Sequence, residues 1–447
     1  MGNDGLRTRL LALLPVLLAV SGAQAQAPQP PAADLIARGR YLTLAGDCGA
    51  CHTAPGAALD FGGGYPLATP VGVIYSTNIS SDKIRGIGGW SDEAFVRAVR
   101  EGVSQDGHLL YPAMPYDAYA KLKREDVLAI KAYLMSLPLA ASSVPSTELS
   151  FPFNQRWGLA FWRWLHLARG ELKDDRAQTP AWNRGRYLVE ELAHCGTCHT
   201  PRTFTYGMDN AKAFGGGDLG SWVAFNITPE RNAGIGTWNR TELASYLKSG
   251  CIKDKASAGG GMAEAIEQSL QYLTETDRLA IAEYIGSLAA VGDNRQTRPR
   301  DRWGTASSTV YALRAGRLSS VTGAGLYNSH CASCHGGEGE GNGDGEGFPS
   351  LFHHTTTGAY DSRNVVAVIL TGVSCRGQNT TVMMPAFTEW LEDEQVVALS
   401  NFVSAQFGHP SAATITPARG KARREALRAP SPAAIEDGRL KETPNGS

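Results

Sequence analysis

The chain has 447 residues, 43% of them hydrophobic and 19% charged. That is enough apolar material for packed cores, and the length suggests about three domains. A formal charge of −1 implies no strongly basic face and argues against nucleic acid as a partner; the 51 glycines require much of the chain to be turn and loop.

In chain order, residues 1–25 read first as a secretory signal peptide. Arg7 and Arg9 give a positive start, residues 10–20 are an apolar run of 11, and Ala23-Gln24-Ala25 is a small-x-small cleavage signal. A retained anchor is the alternative, but the run is short for a bilayer span. Export would place the mature protein in a bacterial periplasm.

Residues 33–140 form a first unit. Gly39-Arg40-Tyr41-Leu42 belongs to its N-terminal helix, and Cys48-Gly49-Ala50-Cys51-His52 follows. Next come the glycines 62–64, Asn78-Ile79 and Gly86-Ile87-Gly88-Gly89-Trp90. A helix then has Ser91 as N-cap, Asp92 and Glu93 in its first turn and Gly102 at its end. Its apolar residues Ala94, Phe95, Ala98 and Val99 repeat at helical spacing. Tyr111-Pro112-Ala113-Met114-Pro115 precedes a closing amphipathic helix that starts near Asp126 and is stopped by Pro138.

Residues 141–179 are a linker rich in aromatics: Phe151, Phe153, Trp157, Phe161, Trp162 and Trp164. Contact with a membrane interface is one reading. Packing between domains is favoured, because Arg156, Arg163 and Asn154 interrupt the apolar run. Residues 180–290 repeat the first unit with Gly185-Arg186-Tyr187-Leu188, Cys195-Gly196-Thr197-Cys198-His199, Asn226-Ile227, Gly234-Ile235-Gly236-Thr237-Trp238 and a closing helix from Asp277. After a polar linker at 291–319, residues 320–408 form a looser third copy. Gly325-Leu326-Tyr327 stands for the first helix and Cys331-Ala332-Ser333-Cys334-His335 follows it. Residues 409–447, rich in Ala, Pro and charge, are expected to be a disordered tail without a membrane span.

Three C-x-x-C-H motifs on one chain are the attachment pattern for covalent haem c. Two thiols one helical turn apart can each form a thioether with one haem side group, and the adjacent histidine reaches the iron as proximal ligand. Disulfides do not explain three histidines at one offset. Zinc would need the pairs about 15–20 residues apart, whereas Cys51 to Cys195 spans 144 residues and Cys198 to Cys331 spans 133. The expectation is an all-α chain of three tandem, loop-rich units with the class I cytochrome c pattern, each around one haem. Cys251 and Cys375 are left over, either paired with each other or buried as thiols.

An electron carrier fills both axial positions of its iron, and methionine opposite histidine raises the potential. Met114 lies 62 residues after His52, and Met262 lies 63 after His199. Each is 24 residues beyond its tryptophan, Trp90 or Trp238. In the third unit Met384 is preferred to Met383, because Met384-Pro385 matches Met114-Pro115. His108, His353 and His354 are alternative ligands. His194 and His330 sit too close to their own motifs to reach the opposite haem face.

Tyr75-Ser76-Thr77-Asn78-Ile79, Tyr111-Pro112-Ala113-Met114-Pro115, Phe151-Pro152-Phe153-Asn154, Cys195-Gly196-Thr197-Cys198-His199-Thr200-Pro201-Arg202 and Leu270-Gln271-Tyr272-Leu273-Thr274 occur together. With these residues the chain resembles, over about residues 33 to 408, the three-haem cytochrome c subunits of bacterial periplasmic membrane-bound dehydrogenases. The resemblance implies that a separate catalytic subunit of flavin, PQQ or molybdenum type oxidises the substrate, an alcohol, sugar, sugar acid or aldehyde. Electrons would then cross the haems to ubiquinone or a terminal oxidase. It implies His52, Met114, His199, Met262, His335 and Met384 as iron ligands, no substrate chemistry on this chain, and peripheral attachment to the membrane. A free-standing soluble carrier is the alternative. A peroxidase-like enzyme would need an open iron position, which three candidate methionines oppose. The polar tail and the extra Cys251 and Cys375 depart from the family pattern.

Overall fold

The structure, a computed structural model, describes residues 33–318, 322–342, 348–376, 381–412, 414–428, 435–436 and 439–440. The expected signal peptide lies outside these residues.

Helix α1 (Ala33–Ala45) leads into the short α2 (Cys48–His52). Strands β1 (Pro66–Thr69) and β2 (Gly72–Tyr75) form an antiparallel hairpin, extended by β3 (Glu148–Leu149) along the outer edge of β2. Helix α3 (Asp92–Glu101) begins as the sequence suggests: the Ser91 hydroxyl accepts the Ala94 N–H at 3.1 Å, and Gly102 ends it at φ +64°. After α4 (Tyr116–Tyr119), helix α5 (Arg124–Ser136) stops two residues short of Pro138 and packs along α1. The glycine of the Gly39-Arg40-Tyr41-Leu42 segment makes this approach possible, because a Cβ there would lie 1.9 Å from the Ala129 carbonyl oxygen.

Helix α6 (Gly158–His166) carries three of the linker aromatics, Phe161, Trp162 and Trp164. Helix α7 (Pro180–Arg186) continues as a π-helix over Tyr187–Leu192, and α8 (Gly196–His199) follows. Strands β4 (Gly217–Leu219) and β5 (Trp222–Ala224) form a hairpin, and α9 (Arg240–Ser249) leads to a second hairpin of β6 (Cys251–Ile252) and β7 (Ala256–Ser257). Helices α10 (Gly261–Gln268) and α11 (Glu275–Gly286) complete the segment, and α11 packs on α7. A Cβ on Gly185 would lie 2.0 Å from the Ala280 carbonyl oxygen, as at Gly39. Gly39 stands nine residues before Cys48, but Gly185 stands ten before Cys195. The π-helix lies in that interval and takes up the extra residue without moving the motif.

Helices α12 (Thr309–Arg314), α13 (Thr322–His330), α14 (Ala332–His335) and α15 (Arg363–Thr371) are followed by the hairpin β8 (Val373–Arg376) and β9 (Thr381–Met384). Helix α16 (Asp393–Phe407) packs on α13. The close-contact glycine here is Gly323, where a Cβ would lie 2.6 Å from the Ala398 carbonyl oxygen, whereas the expected Gly325 faces open space.

Several expectations change. Helices dominate, but short antiparallel strands accompany them, so all-α is too narrow a description. The tail is not wholly free. Helix α17 (Pro417–Arg428) packs on α15 and α16, Ile415 is buried, and the Arg424 guanidinium bonds Asp393 Oδ1 and the Thr388 and Leu391 carbonyls, each at 2.5 Å. Those partners complete a cation that composition alone reads as solvated. The linker aromatics are not mainly packing material. Only Trp162 among the six turns inward, with Nε1 donating to the Thr205 carbonyl and its ring against Tyr116. Phe151, Trp157, Phe161 and Trp164 are 79%, 77%, 61% and 75% exposed. Cys251 and Cys375 form a disulfide with Cα atoms 5.8 Å apart.

The core falls into two parts. One cluster runs through Leu42, Val127 and Leu134 and on without a break through Leu188, Leu192 and Ile281. The other, around Val366, Leu399 and Phe407, belongs to the third segment. The first two segments also exchange polar contacts reciprocally. Tyr41 of α1 donates its hydroxyl to Asp277 of α11 at 2.6 Å, and Tyr187 donates to Asp126 of α5 at 2.7 Å. Each carboxylate is also held by an arginine of its own segment: Asp277 by Arg184 at 2.7 and 2.9 Å, Asp126 by Arg38 at 2.5 Å. Arg38 and Arg184 each stand three residues before the tyrosine that crosses the interface, so one repeated pattern, used twice, closes both sides.

Burial would raise the Asp277 carboxyl, but the hydrogen bonds from Arg184 and Tyr41 outweigh it and hold the group below its ordinary value. A depressed carboxylate stabilises the fold above its unfolded pKa, and the contribution is lost as pH falls through the folded value. Asp277→Asn should therefore cost about 1–2 kcal/mol near neutral pH. In thermal unfolding of the intact protein, the gap between wild type and variant should shrink as pH falls below about 4.

Candidate haem sites

The three motifs adopt one local design. Each pair of cysteines sits on a single helical turn, with Cys51 and His52 inside α2, Cys198 and His199 inside α8, and Cys334 and His335 inside α14. Each imidazole bonds through Nδ1 to a backbone carbonyl: His52 to Thr77 at 2.6 Å, His199 to Phe225 at 2.6 Å and His335 to Pro349 at 2.8 Å. A carbonyl only accepts, so Nδ1 carries the proton and Nε2 keeps a free lone pair. The backbone is tied as well, because the carbonyl of each histidine accepts a glycine N–H, from Gly63, Gly216 and Gly341 at 2.8, 2.8 and 2.9 Å.

The Asn-Ile pairs noted in the sequence acquire a reason here. Thr77 and Phe225 immediately precede Asn78 and Asn226. Asn78 donates through Nδ2 to the Ala140 carbonyl and accepts the Ser80 N–H; Asn226 does the same with Val291 and Thr228. Each asparagine pins the loop whose preceding carbonyl orients the histidine. The sequence marks these loops through the repeated Asn-Ile, but not the carbonyls, which belong to the backbone.

Burial lowers the pKa of all three imidazoles against the opposing pull of the backbone hydrogen bond, and so favours the neutral ligand form. Burial also pushes the thiols up, Cys48, Cys195 and Cys331 to about 12 and Cys51 to about 11. Such surroundings suit a neutral thioether rather than the thiolate that zinc requires. Among the described residues, no three His, Cys, Asp or Glu side chains gather as a metal-binding group.

The methionines lie in different local settings. Met114 follows a turn, with its N–H on the Tyr111 carbonyl, Met262 is in the first turn of α10, and Met384 ends β9. All three are half-buried against the cores. Met384 lines a cleft together with Cys331 and His335, whereas Met383 is 66% exposed. The cleft is mostly apolar, walled by Leu351, Val365, Ile369 and Leu399, and suits a flat apolar group joined through Cys331 and facing His335. Of the alternative ligands, His108 pairs with Asp106 at 2.6 Å on an exposed loop. His354 has both ring nitrogens engaged, Nδ1 accepting from the Thr356 N–H and Nε2 against Ser257 Oγ.

The first two motifs are neighbours. Helix α10, which carries Met262, packs on α2 of the first motif. Tyr119 donates to the Gly46 carbonyl at 3.0 Å, and its ring meets the half-buried His194 ring edge-on at 5.6 Å, so it touches the approach to both motifs. Beside them Asp47 is pushed up to about 8, by burial first and by Glu264 second.

A fold of helices and loops around C-x-x-C-H turns defines a cytochrome c, and a family model described as "Cytochrome C oxidase, cbb3-type, subunit III" matches residues 320–403. The whole chain is 42% identical over 416 residues to the fructose dehydrogenase cytochrome subunit of Gluconobacter japonicus, covering 89% of this chain and 85% of that one. It is 38% identical over 397 residues to the gluconate 2-dehydrogenase cytochrome c subunit of Pantoea cypripedii, covering 86% and 88%. It is 33% identical over 413 residues to the cytochrome c subunit of the quinone alcohol dehydrogenase of Gluconobacter oxydans, covering 90% and 84%. The chain belongs to this family of dehydrogenase cytochrome c subunits.

The cysteine chemistry predicts a simple titration. Denatured protein prepared without haem should alkylate at the six motif cysteines before reduction. All eight should react after reduction, when the Cys251–Cys375 bond opens.

Proposed function

We propose that the chain carries three covalent haems c and serves as the electron-transfer subunit of a dehydrogenase complex. Cys48 and Cys51, Cys195 and Cys198, and Cys331 and Cys334 hold the three groups, with axial pairs His52–Met114, His199–Met262 and His335–Met384. Haem c, when bound, supplies a one-electron iron couple. The residues supply the rest: a neutral, oriented imidazole on one side, a methionine thioether on the other, and an apolar wall that limits water. The observation that carries this reading is the threefold recurrence of C-x-x-C-H with an anchored Nδ1 and a free Nε2.

Substrate oxidation belongs to a separate catalytic subunit. The relatives are cytochrome subunits of fructose, gluconate and quinone alcohol dehydrogenases, which supports a catalytic dehydrogenase partner; we take its type to be flavin, PQQ or molybdenum. Ubiquinone or a terminal oxidase is the acceptor, on the periplasmic side of the inner membrane, reached by way of the signal peptide at residues 1–25. We assign the exposed face of Trp157, Phe161, Trp164 and Leu165, spaced i, i+4, i+7 and i+8 from the N-cap residue of α6, to the lipid interface. Aromatic side chains on one face of a short helix, with Arg156 and Arg163 beside them, have the composition of a surface-lying anchor. No helix among the described residues is long and apolar enough to cross a membrane.

Denatured protein from the native host should keep haem stain on a gel, and its mass should exceed that of the polypeptide by three haems; any other number overturns the assignment. Met114→His, Met262→His and Met384→His should each remove about a third of the methionine–iron absorption band, while Met383→Leu leaves it whole. Replacing Trp157, Phe161 and Trp164 with Gln should release the protein from anionic lipid vesicles. If vesicle binding survives and the catalytic subunit is lost instead, the patch docks the partner.

A further inference from the structure

The third site is not built by the third segment alone. The hairpin β6–β7 belongs to the second segment, between α9 and the Met262-bearing α10, yet it reaches the third cleft at several points. Ser257 lines that cleft, with its hydroxyl 3.3 Å from His354 Nε2. The Lys255 carbonyl accepts the Thr355 N–H at 2.8 Å. Asp254 Oδ1 accepts the Ser350 N–H at 3.0 Å, and Ser350 directly follows Pro349, whose carbonyl orients His335. At the other end of the hairpin, Cys251 is bonded to Cys375 of β8. Cys375 pairs with Val382, and the same register sets Val373 opposite Met384. One hairpin therefore grips the segment that orients the histidine and the strand pair that ends in the methionine.

We propose that the hairpin Cys251–Ser257 is a positioning element for the third haem: it fixes the His335 and Met384 segments relative to each other, with the Cys251–Cys375 bond as the clamp on the methionine side. The proposal rests on the assignment of Met384 as an axial ligand. The covalent link acts where local structure is weakest. Strands β8 and β9 are four residues each and form a two-stranded sheet, and a lone hairpin of that size is marginally stable in water. Without the link, the strand carrying Met384 depends on those few ladder bonds and its core contacts.

The test compares Cys251→Ser/Cys375→Ser with Met384→His in the full haem-loaded protein, reading the ferric methionine–iron band and the potential of each haem. The double variant should lose, in part or whole, the same third of the band that Met384→His removes, with the corresponding potential lowered and the other two haems unchanged. A double variant with an unaltered band and three unaltered potentials overturns the proposal. If Met384→His itself leaves the band intact, the ligand assignment has failed instead. Should the double variant not fold, the wild-type disulfide can be opened with a phosphine, the thiols alkylated and the haems reoxidised. The band of the third haem should then fall, and its persistence would refute the clamp.

Discussion

The bond from a histidine Nδ1 to a backbone carbonyl governs the design of this protein. In the proposed haem sites a ligand imidazole must be neutral, must present Nε2, and must not rotate. All three conditions follow from one hydrogen bond to Thr77, Phe225 or Pro349. The other repeated features serve that bond. The asparagines pin the first two carbonyl loops, and glycine N–H groups tie the histidine backbone from the opposite direction. The helix pairs α1/α5, α7/α11 and α13/α16 form the frame that supports them, with a glycine at each contact where two backbones nearly touch.

Much of this is written locally, and the local part was legible. Three C-x-x-C-H motifs state their chemistry within five residues each, and Ser91 and Gly102 mark the ends of a helix because capping is a short-range effect. The proposed ligands Met114 and Met262 rest on repeat spacing, each lying 24 residues beyond its tryptophan. What stayed hidden depends on partners far along the chain. Arg424 is a solvated charge until Asp393 and two carbonyls surround it. Strands of two to four residues are too short for an alternating pattern to declare itself. Gly323, rather than Gly325, takes the close contact because the third segment lacks the spacing of the other two.

The repeats also misled in one respect. Reading each segment as a self-contained unit gives no reason for the tyrosine in Gly39-Arg40-Tyr41-Leu42 or its copy at Tyr187. Their partners, Asp277 and Asp126, lie in the other segment. A side chain that recurs in the first two copies invites an intrasegment explanation, whereas a pseudo-twofold interface between them satisfies the recurrence equally well; in the third copy Tyr327 does stay within its segment, donating to the Gly336 carbonyl. The π-helix at Tyr187–Leu192 belongs to the same account: an extra residue is absorbed ahead of the second motif so that the spacing change does not disturb the turn that follows.

The continuous cluster from Leu42 to Ile285 has a consequence for how the molecule comes apart. Three haem motifs invite the picture of three beads, each melting on its own. An unbroken apolar interior shared by the first two leaves no surface along which they can separate without exposing Leu188, Leu192 and Val127 to water. The cooperative blocks are therefore two, a double block and a single one, fastened across their boundary by sulfur. A gene fragment ending after residue 140 would encode half of a block, with its interior laid bare.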